Sequence, residues 1–272
     1  PDNWFQLTAS LNFTHYRLNN WTYNTFENFH QGSANDINLE LRIDRNSTDN
    51  PVYTRRGSDF SFSVSITPPY SLFDKKDYSD PSLPIADRYR FIEYHKWKYS
   101  GKVFLPLMNP ATVKRTPVLM ARVEGGIINS YNKYKRSPFG TYYMGGDMMS
   151  GSFGNYMNET IGLRGYKNGS IAGANYDYAY SYMKAALELR YPLIFEQSTT
   201  VWVLAFAEAG NAWRDISRYN PFDLKRSAGL GVRVMMPMIG LLGLDWGYGF
   251  DRPTGYQERG GSNIHFVLGR DL

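Results

Sequence analysis

The chain has 272 residues, no cysteine, a formal net charge of +5 and an aromatic content of 16%, with tyrosine alone supplying 22 residues. Without cysteine there are no disulfides and no thiolate metal sites. Lysines and arginines are scattered, so no basic stripe points to nucleic acid, and no apolar run approaches the roughly 18 residues of a transmembrane helix.

The opening stretch PDNWFQLTAS has neither a charged nor an apolar leader region, so no signal peptide is expected in it. It runs straight into a strand pattern, which reads as a fragment. Phe5, Leu7, Ala9, Leu11 and Phe13 fall on one face, and Gln6, Thr8, Ser10, Asn12 and Thr14 on the other. Such alternation marks a strand with one apolar and one polar face. The pattern returns at Ile37, Leu39, Leu41 and Ile43, at Phe60, Phe62, Val64 and Ile66, and at Leu119, Ala121 and Val123. It continues at Ala185, Leu187 and Leu189, at Leu242, Leu244, Trp246, Tyr248 and Phe250, and ends with Ile264, Phe266 and Leu268. About ten strands are predicted, over 4–18, 37–45, 58–68, 90–107, 117–132, 180–191, 199–211, 225–236, 241–250 and 262–271. Many are near the roughly 9–11 residues that a tilted strand needs to cross a bilayer. No comparable segment has a helical period.

Two architectures accept such strands. A soluble sandwich would bury the Phe60, Phe62, Val64, Ile66 face against a second sheet. A membrane barrel would turn it to lipid and its polar faces to a lumen. The barrel is favoured by aromatics near strand ends (Tyr16, Tyr70, Tyr99, Tyr131, Tyr191, Trp213, Tyr248) and by alternating connection lengths. Connections 19–36, 69–89, 133–179, 212–224 and 251–261 are long, and 46–57, 108–116, 192–198 and 237–240 are shorter. The predicted fold is all-β, an antiparallel transmembrane β-barrel with the long loop 133–179 folded into the lumen. Its last strand would leave the C-terminus on the periplasmic side.

The longest connection contains NETIGLRGYKNG (158–169), a glycine-rich, turn-like stretch with a single arginine, Arg164. A loop of this length is functional or disordered, and a guanidinium inside a barrel requires carboxylates. Glu188 shares the polar parity of Lys184 and Arg190. Glu208 interrupts the apolar stretch LAFAEAGNAW, and its direction is open because Trp202, Leu204 and Phe206 share its parity. The four histidines (His15, His30, His95, His265) have no metal-ligand spacing. No catalytic residue, no cofactor and no metal is expected; His95 and His265 read as interfacial or pore-lining.

The ordered segments KRSPFGTYYMGG (135–146), GLRGY (162–166), ALELRYPL (186–193), AEAGNAW (207–213), RSAGLGVRVMMPMIGLLGLDWGYGF (226–250) and FVLG (266–269) resemble the C-terminal barrel of the BamA family. These are the central proteins of the bacterial outer-membrane β-barrel assembly machinery. SITPPYSLFDKKDY (65–78) and YHKWKYSGKVFLPL (94–107) resemble the Bacteroidota version. The resemblance implies an insertase that folds client outer-membrane β-barrel proteins through a lateral gate at its terminal strands. It implies accessory lipoproteins (BamD-like and others), membrane lipid and lipopolysaccharide as partners, and no nucleic acid. Arg164, Gly165 and Tyr166 match the family's loop motif, and Glu188 and Glu208 its acidic partners. Ile264, Phe266, Leu268 and Gly269 fall on the gate's last strand, where Gly260, Gly261 and Gly269 are expected to weaken pairing.

The family's barrel has sixteen strands behind periplasmic POTRA domains, so its first strands and those domains are expected to be absent from this chain. Leu272 stands where an aromatic is expected, and 148–159 reads as extra loop. Related expectations are a protein exporter of the same superfamily or a passive diffusion channel.

Overall fold

The structure is a computed structural model that describes residues 2–21, 29–147, 158–172, 178–196, 199–236 and 240–269. Its strands are β1 (Phe5–Leu18), β2 (Gly32–Asn46), β3 (Gly57–Ile66), β4 (His95–Pro106), β5 (Val118–Asn129), β6 (Thr141–Met144), β7 (Asn158–Ile161), β8 (Ser181–Phe195), β9 (Thr200–Trp213), β10 (Lys225–Met236), β11 (Gly240–Gly249) and β12 (Gly261–Leu268). Ten form one sheet in the order β1-β2-β3-β4-β5-β8-β9-β10-β11-β12, and β6 and β7 pair separately. Every neighbouring pair of the large sheet is antiparallel. The sheet is not closed: β1 and β12 each have a partner on one side only.

All ten predicted strands are present because the alternation that defines them has a physical outlet. The apolar face points outward and is uncovered: Leu7 is 74% exposed, Leu11 78%, Phe266 62%. An uncovered apolar surface running across so many strands has no stable place in water and fits lipid. Phe60, Phe62 and Ile66 are exposed on it too, which excludes the sandwich. Among the described residues no helix is long and apolar enough to cross a membrane. Connections alternate as expected: 19–31, 67–94, 130–180 and 214–224 are each longer than the one that follows, 47–56, 107–117, 196–199 and 237–239 respectively.

Several details differ from the sequence reading. Strand β2 starts at Gly32, not 37, because its inward-facing start (Ala34, Asp36, Asn38) is covered by the chain at 90–94. There Asn35 bridges Phe91, and the Tyr94 hydroxyl donates to Asp36 (3.0 Å). That crossing also delays β4 to His95. Strand β8 runs through Pro192 to Phe195, with a register shift between Pro192 and Ile194 that accommodates the missing N–H. Tyr99, Tyr131, Tyr191 and Tyr248 are exposed, as a girdle requires, whereas Trp213 is buried and Tyr16 stacks on Phe139 at 4.0 Å. Tyr70 is half-buried against Phe91. Gly269 is not within the last strand: it follows β12 with φ +74°, a turn position. Residues 148–157 of the extra loop, and Leu272, lie outside the described residues.

The interior holds two buried clusters. At the long-loop end, Ile92, Ile128, Phe139, Tyr142, Leu163 and Tyr166 pack together. At the short-turn end, Phe104, Met120, Trp202, Leu204, Phe206 and Val267 face inward around Tyr53. Turn 47–56 folds under the sheet to place Tyr53 there. Its hydroxyl donates to the carbonyls of Arg190 (3.2 Å) and Thr116 (3.3 Å), and its ring meets Trp202 edge-on.

Candidate functional site

The long connection leaves β5, enters the concavity of the sheet and returns at β8. Strands β6 and β7 pair in parallel inside it, Thr141 to Asn158 through Met144 to Ile161. The pairing continues as a bridge in which Leu163 N–H donates to Gly146 O (3.0 Å) and Gly146 N–H to Leu163 O (3.1 Å). Two segments far apart in sequence thus hold the next residue, Arg164, against the inner wall.

Arg164 is completely buried. Its Nε donates to Glu208 Oε1 (3.0 Å), and Nη2 to both Glu208 Oε1 (2.7 Å) and Glu188 Oε1 (2.5 Å). Nη1 reaches Asp245 Oδ2 at 3.3 Å. Its guanidinium lies 3.7 Å above the Phe206 ring. The carboxylates have cation partners of their own on the wall: Lys184 on Glu208 (3.1 Å), Arg190 on Glu188 (2.6 Å), Arg233 on Asp245 (2.6 Å). Four cations and three carboxylates therefore share one water-poor cluster, each charge held by directed bonds, the condition under which buried ions are tolerated. Burial opposes the charge on Arg164, but Glu208, Glu188 and Asp245 outweigh it and raise its pKa well above the ordinary arginine value.

The structure brings Glu188 and Glu208 together on Arg164, and Glu208 points inward. Trp202, Leu204, Phe206 and Glu208 all face inward. The aromatic below the carboxylate is the floor on which the guanidinium stacks.

The backbone after Arg164 is held as firmly as its side chain. Arg164 N–H donates to Glu208 Oε2 (2.9 Å). Gly165 N–H donates to His265 Nε2 (2.8 Å), and Gly165 O accepts from Asn263 Nδ2 (3.0 Å). Since His265 accepts at Nε2, that nitrogen carries no proton. The Tyr166 hydroxyl donates to Arg226 O (2.7 Å) and accepts from Asp251 N–H (3.3 Å), and burial pushes its pKa up to about 12.

The wall makes room for this backbone with glycine. Gly165 itself has φ +86°, a left-handed conformation. A Cβ on Gly247 would lie 2.7 Å from Gly165 N, and one on Gly249 would lie 2.4 Å from Gly165 O. Strands β10 and β11 pair Gly229 with Gly247 and Ser227 with Gly249, so the slot sits between Glu208 and the terminal strand.

Sequence reasoning missed Asp245, Asn263 and this slot. The signal was present: in GLDWGYG the inward positions are Gly243, Asp245, Gly247 and Gly249, a lone carboxylate among glycines. Of the residues expected at a gate, Ile264, Phe266 and Leu268 point outward on β12 and take no part in the cluster; the inward residues of that strand, Asn263 and His265, do. His95 lies at the outer rim beside Tyr131, with ring centroids 5.5 Å apart. No group of three or more potential metal ligands occurs among the described residues.

Beside the docked loop the concavity holds an open cavity of about 1500 Å³, lined by both signs of charge, including Arg42, Lys98 and Lys102 against Glu40, Glu124 and Glu159.

A profile of the Omp85 superfamily domain matches residues 2–272. No curated protein matches by sequence. Among solved structures, the fold is similar to the crystal structure of BamA from Haemophilus ducreyi lacking POTRA domains 1–3. The TM-score is 0.61 and the identity 18%, over 97% of this chain and 50% of that one. The chain thus spans about half the length of that structure.

Proposed function

The chain belongs to the Omp85 superfamily, and from that premise we propose that it is part of an outer-membrane barrel that folds and inserts client β-barrel proteins. In this reading the long loops face outward and the short turns and C-terminus face the periplasm. Both open edges, β1 and β12, belong to a larger barrel, and the protein moves chains without breaking bonds. Residues 65–78 and 94–107 support a Bacteroidota-type member.

The observation that carries the proposal is the bonding of the loop to the terminal strand. Gly165 is held by Asn263 and His265 of β12, while Arg164 is held by β8, β9 and β11. The loop therefore braces β12, an edge strand onto which a client could add. An unpaired strand edge presents a row of N–H and C=O groups, and an incoming strand can add to it by backbone hydrogen bonds. Outward-facing Ile264, Phe266 and Leu268 would keep that edge in lipid. Client barrels, BamD-like and other accessory lipoproteins, membrane lipid and lipopolysaccharide are the partners in this reading.

Depletion of the native full-length protein tests it. Unrelated outer-membrane barrels, quantified in membrane fractions, should all fall. A loss confined to one secreted protein or to one solute's uptake would indicate a dedicated exporter or a diffusion channel instead.

A further inference from the structure

The Arg164 cluster is at one side of the lumen. On the other side the same loop makes a second ionic contact that the tether does not use. Glu159, on β7, receives the ammonium of Lys98 at 2.6 Å and also that of Lys96. Both lysines face inward on β4. Lys96 is buried, donates to Gly140 O at 2.7 Å, and sits 5.0 Å from the Tyr142 ring centre. Gly140 and Tyr142 belong to the same loop, so Lys96 ties both of its paired segments to β4.

Polarity and placement give this contact its meaning. At Arg164 a loop cation meets wall carboxylates on β8, β9 and β11; at Glu159 a loop anion meets wall cations on β4. Strand β5 lies between the two halves of the wall. Two contacts of opposite sign admit the loop in one orientation only, because the reversed seating would set like charges together. The bonds of residues 164–166 all lie on the β8–β12 side of the wall, so only a contact on the β4 side fixes the far edge of the loop. Glu159, Thr160 and Ile161 also line the large cavity, so the position of β7 sets the cavity's width.

We propose that Glu159, clasped by Lys96 and Lys98, is a positioning residue that stops the loop from swinging about Arg164 and so keeps the lumen narrow. The inference rests on the membrane-barrel reading and not on client insertion.

The test is conductance of the full-length protein in planar bilayers, with heat-modifiable gel mobility confirming folding. Glu159→Lys, and Lys96→Glu with Lys98→Glu, should each raise conductance several-fold. Combining all three substitutions restores opposite charges and should return conductance towards wild type. Glu159→Gln, which keeps the shape and removes the charge, should give a smaller rise and serves if the inverted variants do not fold. Wild-type conductance in folded Glu159→Gln, or a triple variant as leaky as its parents, would overturn the proposal. Client insertion measured on the same preparations separates the two readings. Conductance that follows the charge pattern in a protein that inserts no client supports the anchor and removes the insertase. Insertion that falls in Glu159→Gln at unchanged conductance removes the anchor alone.

Discussion

Replacing Arg164 with alanine should undock the loop while leaving the sheet intact. The substitution removes the bonds to Glu208 (3.0 and 2.7 Å), Glu188 (2.5 Å) and Asp245 (3.3 Å), together with the stack on Phe206. Breaking a buried ion pair by deleting one partner costs about 3–5 kcal/mol. Here the low end applies, because Lys184, Arg190 and Arg233 still face the three carboxylates, so no bare negative charge is left behind. A loss of about 3 kcal/mol, at roughly 1.4 kcal/mol per tenfold, shifts the docked population about a hundredfold. Hydrogen exchange on the full-length protein in a bilayer reads this directly. The amides of Leu163, Arg164 and Gly165, bonded to Gly146, Glu208 and His265, should exchange about a hundredfold faster, the factor that same pair loss implies. Amides within β8 and β9 should hardly change. Arg164→Lys should fall between, since an ammonium keeps the charge but not the planar fork. Unchanged protection of 163–165 in Arg164→Ala would refute the tether.

Three further outcomes follow from the same geometry. Gly249→Ala places a Cβ 2.4 Å from Gly165 O and should release loop protection as Arg164→Ala does, whereas Gly240→Ala, which strains only a φ of +87° at the start of β11 and meets no neighbour, should not. Tyr53→Ala empties a fully buried site under the sheet and should cost about 3–5 kcal/mol, while Tyr53→Phe, losing only the bonds to two carbonyls, should cost about 1 kcal/mol. Loss of heat-modifiable mobility at a lower temperature reads both. Asp251 accepts from Arg226 Nε (3.1 Å) and Nη2 (3.0 Å), which holds its pKa below the ordinary value. The pair therefore supports loop 250–260 above about pH 4, and that support fades as pH falls through the folded value. Exchange in that loop should be faster in Asp251→Asn at neutral pH and equal to wild type in acid.

The strands were legible because one solvent touches each face, lipid outside and a polar lumen inside, so period two survives in the sequence. It fails where the lumen is itself apolar. Val201, Trp202, Val203 and Leu204 show no alternation, yet Trp202 and Leu204 face inward beneath Tyr53. Only folding of turn 47–56 explains them, and a turn's destination is not written in its residues. The stretch that reads as a glycine-rich turn around Arg164 begins with strand β7. Its four residues pair with β6, which lies before the intervening 145–157, and a strand so short with so distant a partner has no local signature. Glu188 was readable from parity. Asp245 has the same inward parity but stands among glycines, whose role as a slot appears only once Gly165 lies against them.

Client folding by the purified full-length protein in liposomes tests both the insertase and its tethered loop. An unfolded outer-membrane barrel is added, and its folded form is followed by heat-modifiable mobility. Wild type should accelerate folding over empty liposomes, and Arg164→Ala, correctly folded itself, should lose most of that acceleration. An Arg164→Ala protein as active as wild type, with its loop shown to be undocked, would contradict the role of the tether.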